Sequence, residues 1–380
     1  MQNKMPLLEL TDRFIKPVDW SNTLVIACQH LLESNFLYFE KLVAGGLLPK
    51  NLFMIGKSYS TCLSVVDDFR AIGAYVAPSS QRFDSHQSFN QQFHADIAEF
   101  FEHISSQVSF STFDKVLIMD DGAELLIYAH QHIADLSNFA GVEQTSSGFH
   151  KLNAIEVRFP IVNVARSQAK LILESPFIAE AVIQNFERYL TDLDLHPKSI
   201  LIAGSGYIGN CIYEQLKEHY FVQRYDIDKD KSDFDHTELD AMLPNFDVIL
   251  SCAGTTVFLP SDYQYFKCGV ILGSASSSDV EFSAVHLRKM AQQTTDVHAD
   301  IRVPGPKGMI HLFNAGFPLN FDGSRQLIPL DKIQLTEALL YTALCLARTE
   351  EYAAGITEFD DEIQTILIEE FRKLLDSKRD

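Results

Sequence analysis

The chain is short of positive charge. Against 51 acidic residues it carries 31 lysines and arginines, a formal net charge of -20, which excludes the basic stripe that binds nucleic acid phosphates or anionic lipid. No uninterrupted apolar run reaches the roughly 18 residues of a membrane span. No N-terminal stretch joins a basic start, an apolar core and a small-residue cleavage site. Neither nucleic acid nor a membrane is therefore expected as a partner, and the cytoplasm is the expected compartment. Cysteine is sparse as well: Cys28, Cys62, Cys211, Cys252, Cys268 and Cys345 lie far apart with no C-x-x-C pair, as reduced, buried structural thiols do. No cluster of His, Cys, Asp and Glu has metal-ligand spacing, so no catalytic metal is expected. No serine stands in a nucleophile-elbow context, which leaves a Ser-His-Asp triad without support. Internal repeats and low-complexity tracts are missing too.

What is present is a chain of 380 residues, 46% hydrophobic, longer than one ordinary core supports; two domains are expected. Short buried strands are predicted at Leu24 to Cys28, Leu52 to Ile55, Ala74 to Ala77 and Val116 to Met119, with a helix from Ser60 to Ile72. A second alternating unit starts at Ser199, with strands at Val222 to Tyr225, Val248 to Ser251 and Val270 to Leu272. This pattern is that of an α/β protein with two domains, each built on a mainly parallel sheet. The first would span 1–180 together with 345–380, and the second, a Rossmann-type domain, 190–335. Long helices over about 176–193, where Pro176 suits a helix start, and 331–349 would act as hinges.

The run Ser199-Ile-Leu-Ile-Ala-Gly204-Ser-Gly206-Tyr207-Ile208-Gly209 places an apolar strand directly before G-x-G-x-x-G and a helix directly after it. Gly204 permits the tight turn, Gly206 lets backbone approach a pyrophosphate, and Gly209 lets helix and strand pack closely. The N-H groups of Tyr207 and Ile208 open the helix toward the phosphates. Asp226 ends the next strand, 22 residues after Gly204 (226 minus 204), where a carboxylate can accept bonds from the adenosine ribose hydroxyls. The unit reads as an NAD site, with NADP disfavoured because its 2'-phosphate would meet that charge. Arg224, expected on the same face by strand alternation, weakens the discrimination. The alternative is a glycine turn that serves packing alone.

Four further segments occur in order: Met119-Asp120-Asp121-Gly122-Ala-Glu124-Leu125, Gly141-Val-Glu143-Gln144-Thr145-Ser146-Ser147-Gly148-Phe-His150, Pro160-Ile-Val-Asn163-Val164 followed by Lys170 and Glu174, and Leu312-Phe-Asn314-Ala-Gly316. With the glycine turn they span most of residues 118 to 320, and together the chain resembles S-adenosylhomocysteine hydrolase. The resemblance implies tightly bound NAD that oxidises a ribose 3'-hydroxyl, acidifies the neighbouring carbon, permits elimination and replacement of a 5'-thiolate, and is regenerated in place. It implies Lys170 as the acid/base at the alcohol, Asp121 as the group that abstracts the ribose carbon proton, and Glu174 as a partner of Lys170 or of the ribose hydroxyls. Thr145, Ser146 and Ser147 would offer hydroxyls to the nicotinamide ribose and amide, and Asn314 an amide to the carboxamide. Each has a plainer reading: an i, i+4 ion pair for Lys170 and Glu174, a helix N-cap for Asp121, polar turns for the rest.

The sequence departs from the family's pattern at the two places where it uses histidine. The segments Gly56-Lys57-Ser58-Tyr59-Ser60-Thr61 and Leu272-Gly273-Ser274-Ala275-Ser276-Ser277-Ser278-Asp279-Val280-Glu281 both lack imidazole, a group able to exchange protons near neutral pH. Gln144 stands where the family has glutamate, Ser175 where it has asparagine, and Asn320 where it has histidine. The segment after Glu369 holds no tyrosine, so the family's tetramer is not assumed, and a homo-oligomer stays open. His130 and His132 are expected to be solvated, and His150 to be structural. The chain is therefore expected to be an NAD-dependent oxidoreductase- or hydrolase-like enzyme that oxidises a secondary hydroxyl of a small, nucleoside-type substrate, in one-carbon metabolism if the parent role is kept. The alternatives are a catalytically silent homologue that binds NAD or a nucleoside to regulate a partner, and retained S-adenosylhomocysteine hydrolysis with water activated by Lys57 or by a histidine from elsewhere in the chain.

Overall fold

The computed structural model describes residues 5–291 and 296–377. Its strands are, in chain order, β1 (Thr23–Leu31), β2 (Leu52–Thr61), β3 (Tyr75–Val76), β4 (Lys115–Asp120), β5 (Phe139–Glu143), β6 (Pro160–Asn163), β7 (Ser199–Ala203), β8 (Phe221–Tyr225), β9 (Val248–Ser251), β10 (Val270–Ser274), β11 (Ile301–Gly305), β12 (Gly308–Leu312) and β13 (Gly355–Glu358). The protein is α/β with two mainly parallel sheets, one in each of two compact units.

The first unit comprises the chain up to Arg82, Phe93–Glu174 and the chain from Ser324. Its sheet runs β13-β6-β5-β4-β1-β2-β3, and every neighbouring pair is parallel. Strands buried on both faces need near-continuous apolar runs, and Leu24–Cys28 and Val116–Met119 supply them, each residue fully buried. The strand order reverses between β1 and β4, which opens a crevice at their carboxyl ends where open α/β sheets place their ligands. The helix Leu330–Thr349 packs on this sheet and is buried all round from Gln334 to Cys345, as expected of a helix with apolar residues on every side.

The second unit comprises Phe83–Gln92 and Ser175–Gly323. Its sheet runs β11-β12-β10-β9-β7-β8, parallel except for the β11–β12 hairpin. The reversal falls between β7 and β9. The helix Ser175–Asp192 lies wholly in this unit and Leu330–Thr349 wholly in the first, so neither long helix is shared. The stretch 83–92 groups with the second unit, although both of its flanks belong to the first.

Three local expectations need correction. The helix expected from Ser60 begins only at Leu63, because β2 continues to Thr61. In that strand the register with β1 jumps from Gln29 opposite Gly56 to Leu31 opposite Thr61. The strand bulges between these points, and Gly56 is required there since a Cβ would meet Thr61 Oγ1 at 2.5 Å and Leu31 at 2.7 Å. The polar residues that hid this strand in the sequence are the ones the bulge turns inward. Second, a strand stands where none is predicted: β5, Phe139–Glu143, is fully buried between β4 and β6. Third, His130 is buried, not solvated; its Nδ1 lies 2.7 Å from the Leu126 carbonyl and its Nε2 accepts from Arg158 N-H at 3.0 Å. Of the cysteines, Cys28, Cys62 and Cys345 are buried and Cys268 is exposed.

Candidate functional site

At the reversal point of the first sheet, polar side chains from three strands converge on the carboxylate that follows a fourth. Asp121, directly after β4, takes a bond on Oδ1 from the Lys57 ammonium of the β2 bulge. On Oδ2 it takes one from the Gln144 amide, directly after β5. His30, near the end of β1, places Nε2 3.3 Å from the same oxygen. Burial alone would raise the Asp121 pKa, but Lys57, then His30, outweigh it and hold the carboxyl well below the usual range. Asp121 is therefore an ionised anchor with both oxygens engaged. The helix-cap role goes to its neighbour instead, since Asp120 Oδ2 accepts from Leu126 N-H at 2.9 Å. Gln144, where the resemblance has glutamate, can donate to this carboxylate as a glutamate could not.

His30 places an imidazole beside Asp121, although the segments 56–61 and 272–281 hold none. Its Nδ1 lies 2.6 Å from Ser60 Oγ. With a carboxylate at Nε2, that nitrogen carries the proton in the neutral ring and Nδ1 accepts the serine hydroxyl. Ser60, His30 and Asp121 thus form the hydrogen-bonded series that no elbow motif announced, with the two ring nitrogens in the opposite roles to the protease arrangement. Ser60 is buried within the β2 bulge. The signal available in the sequence was positional: Gln29-His30 closes a buried apolar run as Asp120-Asp121 closes another.

Around this centre, several buried polar atoms lack a hydrogen-bond partner among the described residues: Gln29 Nε2, Asp120 Oδ1, Glu143 Oε2, Gln144 Oε1 and, from the helix Leu330–Thr349, Glu337 Oε2. Native interiors satisfy nearly all such groups, so a cluster of them marks a place for a ligand or ordered water. Burial, then neighbouring carboxylates, pushes the Asp120 and Glu143 pKa values up. Burial also pushes Glu337 up to about 7. Lys170 and Glu174 lie in the turn Ala169–Glu174, which is π-helical, with Nζ 3.8 Å from Oε2. Burial raises the Glu174 carboxyl, opposed by Lys170 and reinforced by Asp121 and hence within electrostatic reach of it. Lys170 and Glu174 are thus brought together in the first unit, within electrostatic reach of Asp121. The loop Thr145–Ser147 is less available: Thr145 Oγ1 donates to Glu143 at 2.7 Å and accepts from Gly148 N-H at 2.9 Å as a helix cap, leaving Ser146 and Ser147 as exposed hydroxyls.

In the second unit the glycine turn sits at the reversal between β7 and β9. Gly204 has φ +101°, and a Cβ there would lie 2.7 Å from Ala253 N. A Cβ on Gly209 would come within 1.9 Å of the Gly204 carbonyl oxygen. Packing within the protein therefore demands both. Gly206 differs: nothing lies within 4 Å of where its Cβ would be. It caps the helix Tyr207–Leu216 without any side-chain bond, so the first N-H groups of that helix, those of Tyr207 and Ile208 included, are left for another acceptor. Tyr207 is exposed and Ile208 packs against the core. Asp226 lies beside the turn, accepting from Ser205 N-H at 2.6 Å and Asp228 N-H at 2.9 Å. Arg224 is committed elsewhere, paired with Asp233 at 2.9 Å and stacked over Tyr213 at 4.3 Å. The turn, the uncapped helix start and Asp226 could together hold a dinucleotide.

Asn314 departs from its expected availability. It is fully buried with φ +51°, in the turn Phe313–Gly316. Its amide nitrogen donates to the Pro318 and Phe321 carbonyls, both at 2.8 Å, and His298 Nδ1 lies 2.9 Å from its oxygen. The side chain is spent on shaping the turn and has no donor left for a carboxamide. Among the described residues, no group of three or more His, Cys, Asp or Glu is placed to hold a metal, and no helix is long and apolar enough to cross a membrane.

No family model matches the chain. Two uncharacterised proteins of Mycobacterium tuberculosis strains are 37% identical to it over 333 residues, covering 85% of this chain and 65% of theirs. The chain thus spans just under two thirds of the length of these relatives. An adenosylhomocysteinase of Saccharolobus solfataricus is 24% identical over 313 residues, 78% of this chain and 70% of that one. An S-inosyl-L-homocysteine hydrolase of Methanosarcina mazei is 21% identical over 318 residues, 79% and 73% of the two chains. The chain is distantly similar to adenosylhomocysteinases along most of its length.

Proposed function

We propose that this chain is an NAD-dependent enzyme of adenosylhomocysteinase type, which oxidises a secondary hydroxyl of a nucleoside-type substrate while retaining its cofactor. The observation that carries the reading is the contrast within the glycine turn: Gly204 and Gly209 are required by packing, whereas Gly206 faces open space at an uncapped helix start beside Asp226. A turn that served packing alone would have no need of glycine at 206. NAD bound there would supply a hydride acceptor. Its pyrophosphate would take the helix N-H groups and its ribose hydroxyls Asp226.

On the substrate side, Lys170 held by Glu174 is the proposed acid/base at the alcohol oxygen. Asp121 is reassigned. A carboxylate bonded at both oxygens and held at low pKa is a weak base, so its proposed work is to orient and electrostatically support His30, which becomes the group that takes and returns protons. The partnerless polar atoms at Gln29, Asp120, Glu143, Gln144 and Glu337 favour a ligand rich in hydroxyls, which both donate and accept. The names of the relatives, which differ in adenosine or inosine, leave the base of the nucleoside open. Retained hydrolysis is a second reading with one observation in its favour, the imidazole of His30 beside Asp121.

Equilibrium titration with NAD tests the proposal. Saturable binding at one per chain is expected, weakened roughly 10- to 100-fold by Asp226→Asn through loss of charge-assisted bonds to the ribose. Absence of binding by the unaltered protein would remove the reading.

A further inference from the structure

Glu281 is fully buried in the second unit, in the segment after β10. Its Oε1 accepts from Gly254 N-H at 2.9 Å and its Oε2 from Ser274 Oγ at 3.2 Å. Its own carbonyl accepts from Val257 N-H at 3.1 Å and Phe258 N-H at 3.2 Å, and Thr256 Oγ1 donates to the neighbouring Val280 carbonyl at 2.8 Å. One residue thus stitches the segment after β9, residues 252–258, to the end of β10.

The far side of that stitched segment is the wall against which the glycine turn rests. Cys252 N-H donates to the Ala203 carbonyl at 2.6 Å. Ala253 N is the atom that a Cβ on Gly204 would strike, and Cys252 Cβ would lie 3.5 Å from one on Gly209. Gly254, whose N-H Glu281 holds, has φ +70° and open space around it. Residues 252–254 therefore have the glycine turn on one side and the Glu281 carboxyl on the other. An ionisable group placed in a fully buried position is costly where an apolar or amide side chain would pack, and its retention calls for a reason.

We propose that Glu281 is a positioning residue for the dinucleotide: it fixes residues 252–254 against the glycine turn, and so sets the backbone on which the pyrophosphate is received. This rests on the reading of the turn as an NAD site. Burial raises the carboxyl's pKa, opposed by the bonds from serine hydroxyls and Gly254. A neutral isostere can keep both contacts with the second reversed, since an amide oxygen accepts from Gly254 N-H and the amide nitrogen donates to Ser274 Oγ, which then accepts.

The test is NAD titration of the full chain, its Glu281→Ala and Glu281→Gln variants and Ser274→Ala, with thermal unfolding recorded for each. For Glu281→Ala we expect NAD binding weakened about tenfold or more, and for Glu281→Gln within about threefold of the unaltered protein. A purely structural role would lower the unfolding temperature of Glu281→Ala without changing the affinity of the folded protein, and that result overturns the proposal. Equal weakening in Glu281→Ala and Glu281→Gln overturns it as well, because hydrogen-bond positioning predicts rescue by the isostere. Should Glu281→Ala fail to fold, Ser274→Ala carries the test: a threefold or greater weakening is expected, on the order of one lost bond, and unchanged affinity refutes it. If the unaltered protein binds no NAD, the reading of the site falls and this role with it, an outcome distinct from binding that Glu281 does not influence.

Discussion

Lys57→Met would leave the Asp121 carboxylate buried without its strongest partner. Both side chains of the pair are more than nine-tenths buried, at 8% and 6% exposure. Breaking one side of such a pair costs about 3–5 kcal/mol, mostly as the desolvation of the charge left behind. For a domain of this size each kcal/mol moves the unfolding midpoint by about 2–4 °C, so the first unit should unfold roughly 6–20 °C lower. The pH dependence gives the sharper signature. In the unaltered protein the Asp121 pKa is depressed, so its contribution is present above the unfolded carboxyl value of about 3.9 and is lost only as pH falls through the lower folded value. The Lys57 pKa is raised by Asp121 despite burial, so its contribution is lost only as pH rises through a value above that of ordinary lysine. Stability from the pair should be flat across neutral pH. In Lys57→Met, burial drives the Asp121 pKa up, and stability should recover as pH falls from 7 toward 4. Thermal melts of Lys57→Met, Asp121→Asn and the double variant supply the assay. The double variant should be markedly more stable than the sum of the single losses predicts. A Lys57→Met cost below about 1 kcal/mol, or strict additivity, would refute an interior ion pair as the organiser of this site.

Gly206→Ala should leave thermal stability nearly unchanged and weaken NAD binding, whereas Gly209→Ala should destabilise the second unit, because only the latter Cβ meets protein, at 1.9 Å from a carbonyl oxygen; melts and titrations of the two variants separate the cases. Asp120 and Glu143 have raised pKa values in the folded state. Their contribution to stability should therefore be largest below the unfolded carboxyl pKa and decline as pH rises through the folded values; urea unfolding from pH 5 to 9 should show this slope, and Glu143→Gln should flatten it. Ser60→Ala should remove the hydroxyl from Nδ1 of His30, and nitrogen NMR of the ring should show the Nδ1 resonance moved while the Nε2-H facing Asp121 is kept; an unchanged Nδ1 resonance would argue against Ser60 as its hydrogen-bond partner.

The fold was legible where apolar runs and glycine chemistry coincide. The β7 run and the glycine turn after it are local features, and adjacent residues specify the strand, the turn and the helix start together. The reading was poorer where tertiary contact decides. Phe139–Glu143 is short, and it ends in an acid; only pairing between β4 and β6 makes it a strand. Gly56–Thr61 carries lysine and serines that mimic a helix start, whereas in the structure they form a bulge whose polar side chains turn into the site. For the site, Asp121, Lys170 and Glu174 could be named from a resemblance. His30 was missed because the imidazole was sought in Gly56–Thr61, whereas it stands near the end of β1 and reaches Asp121 across the β1–β4 pair. Asn314 illustrates the opposite error: a residue of suitable type in a matching turn, whose amide is consumed by the turn's own carbonyls.

The most direct measurement is to mix the purified chain with NAD and a panel of nucleosides and S-nucleosyl-homocysteines, recording reduced-nicotinamide absorbance with a thiol assay alongside. Reduction of bound cofactor by at least one nucleoside is expected, abolished by Lys170→Ala, with thiol release in addition if His30 sustains elimination. NAD that binds yet is never reduced, with no thiol released from any member of the panel, would contradict it.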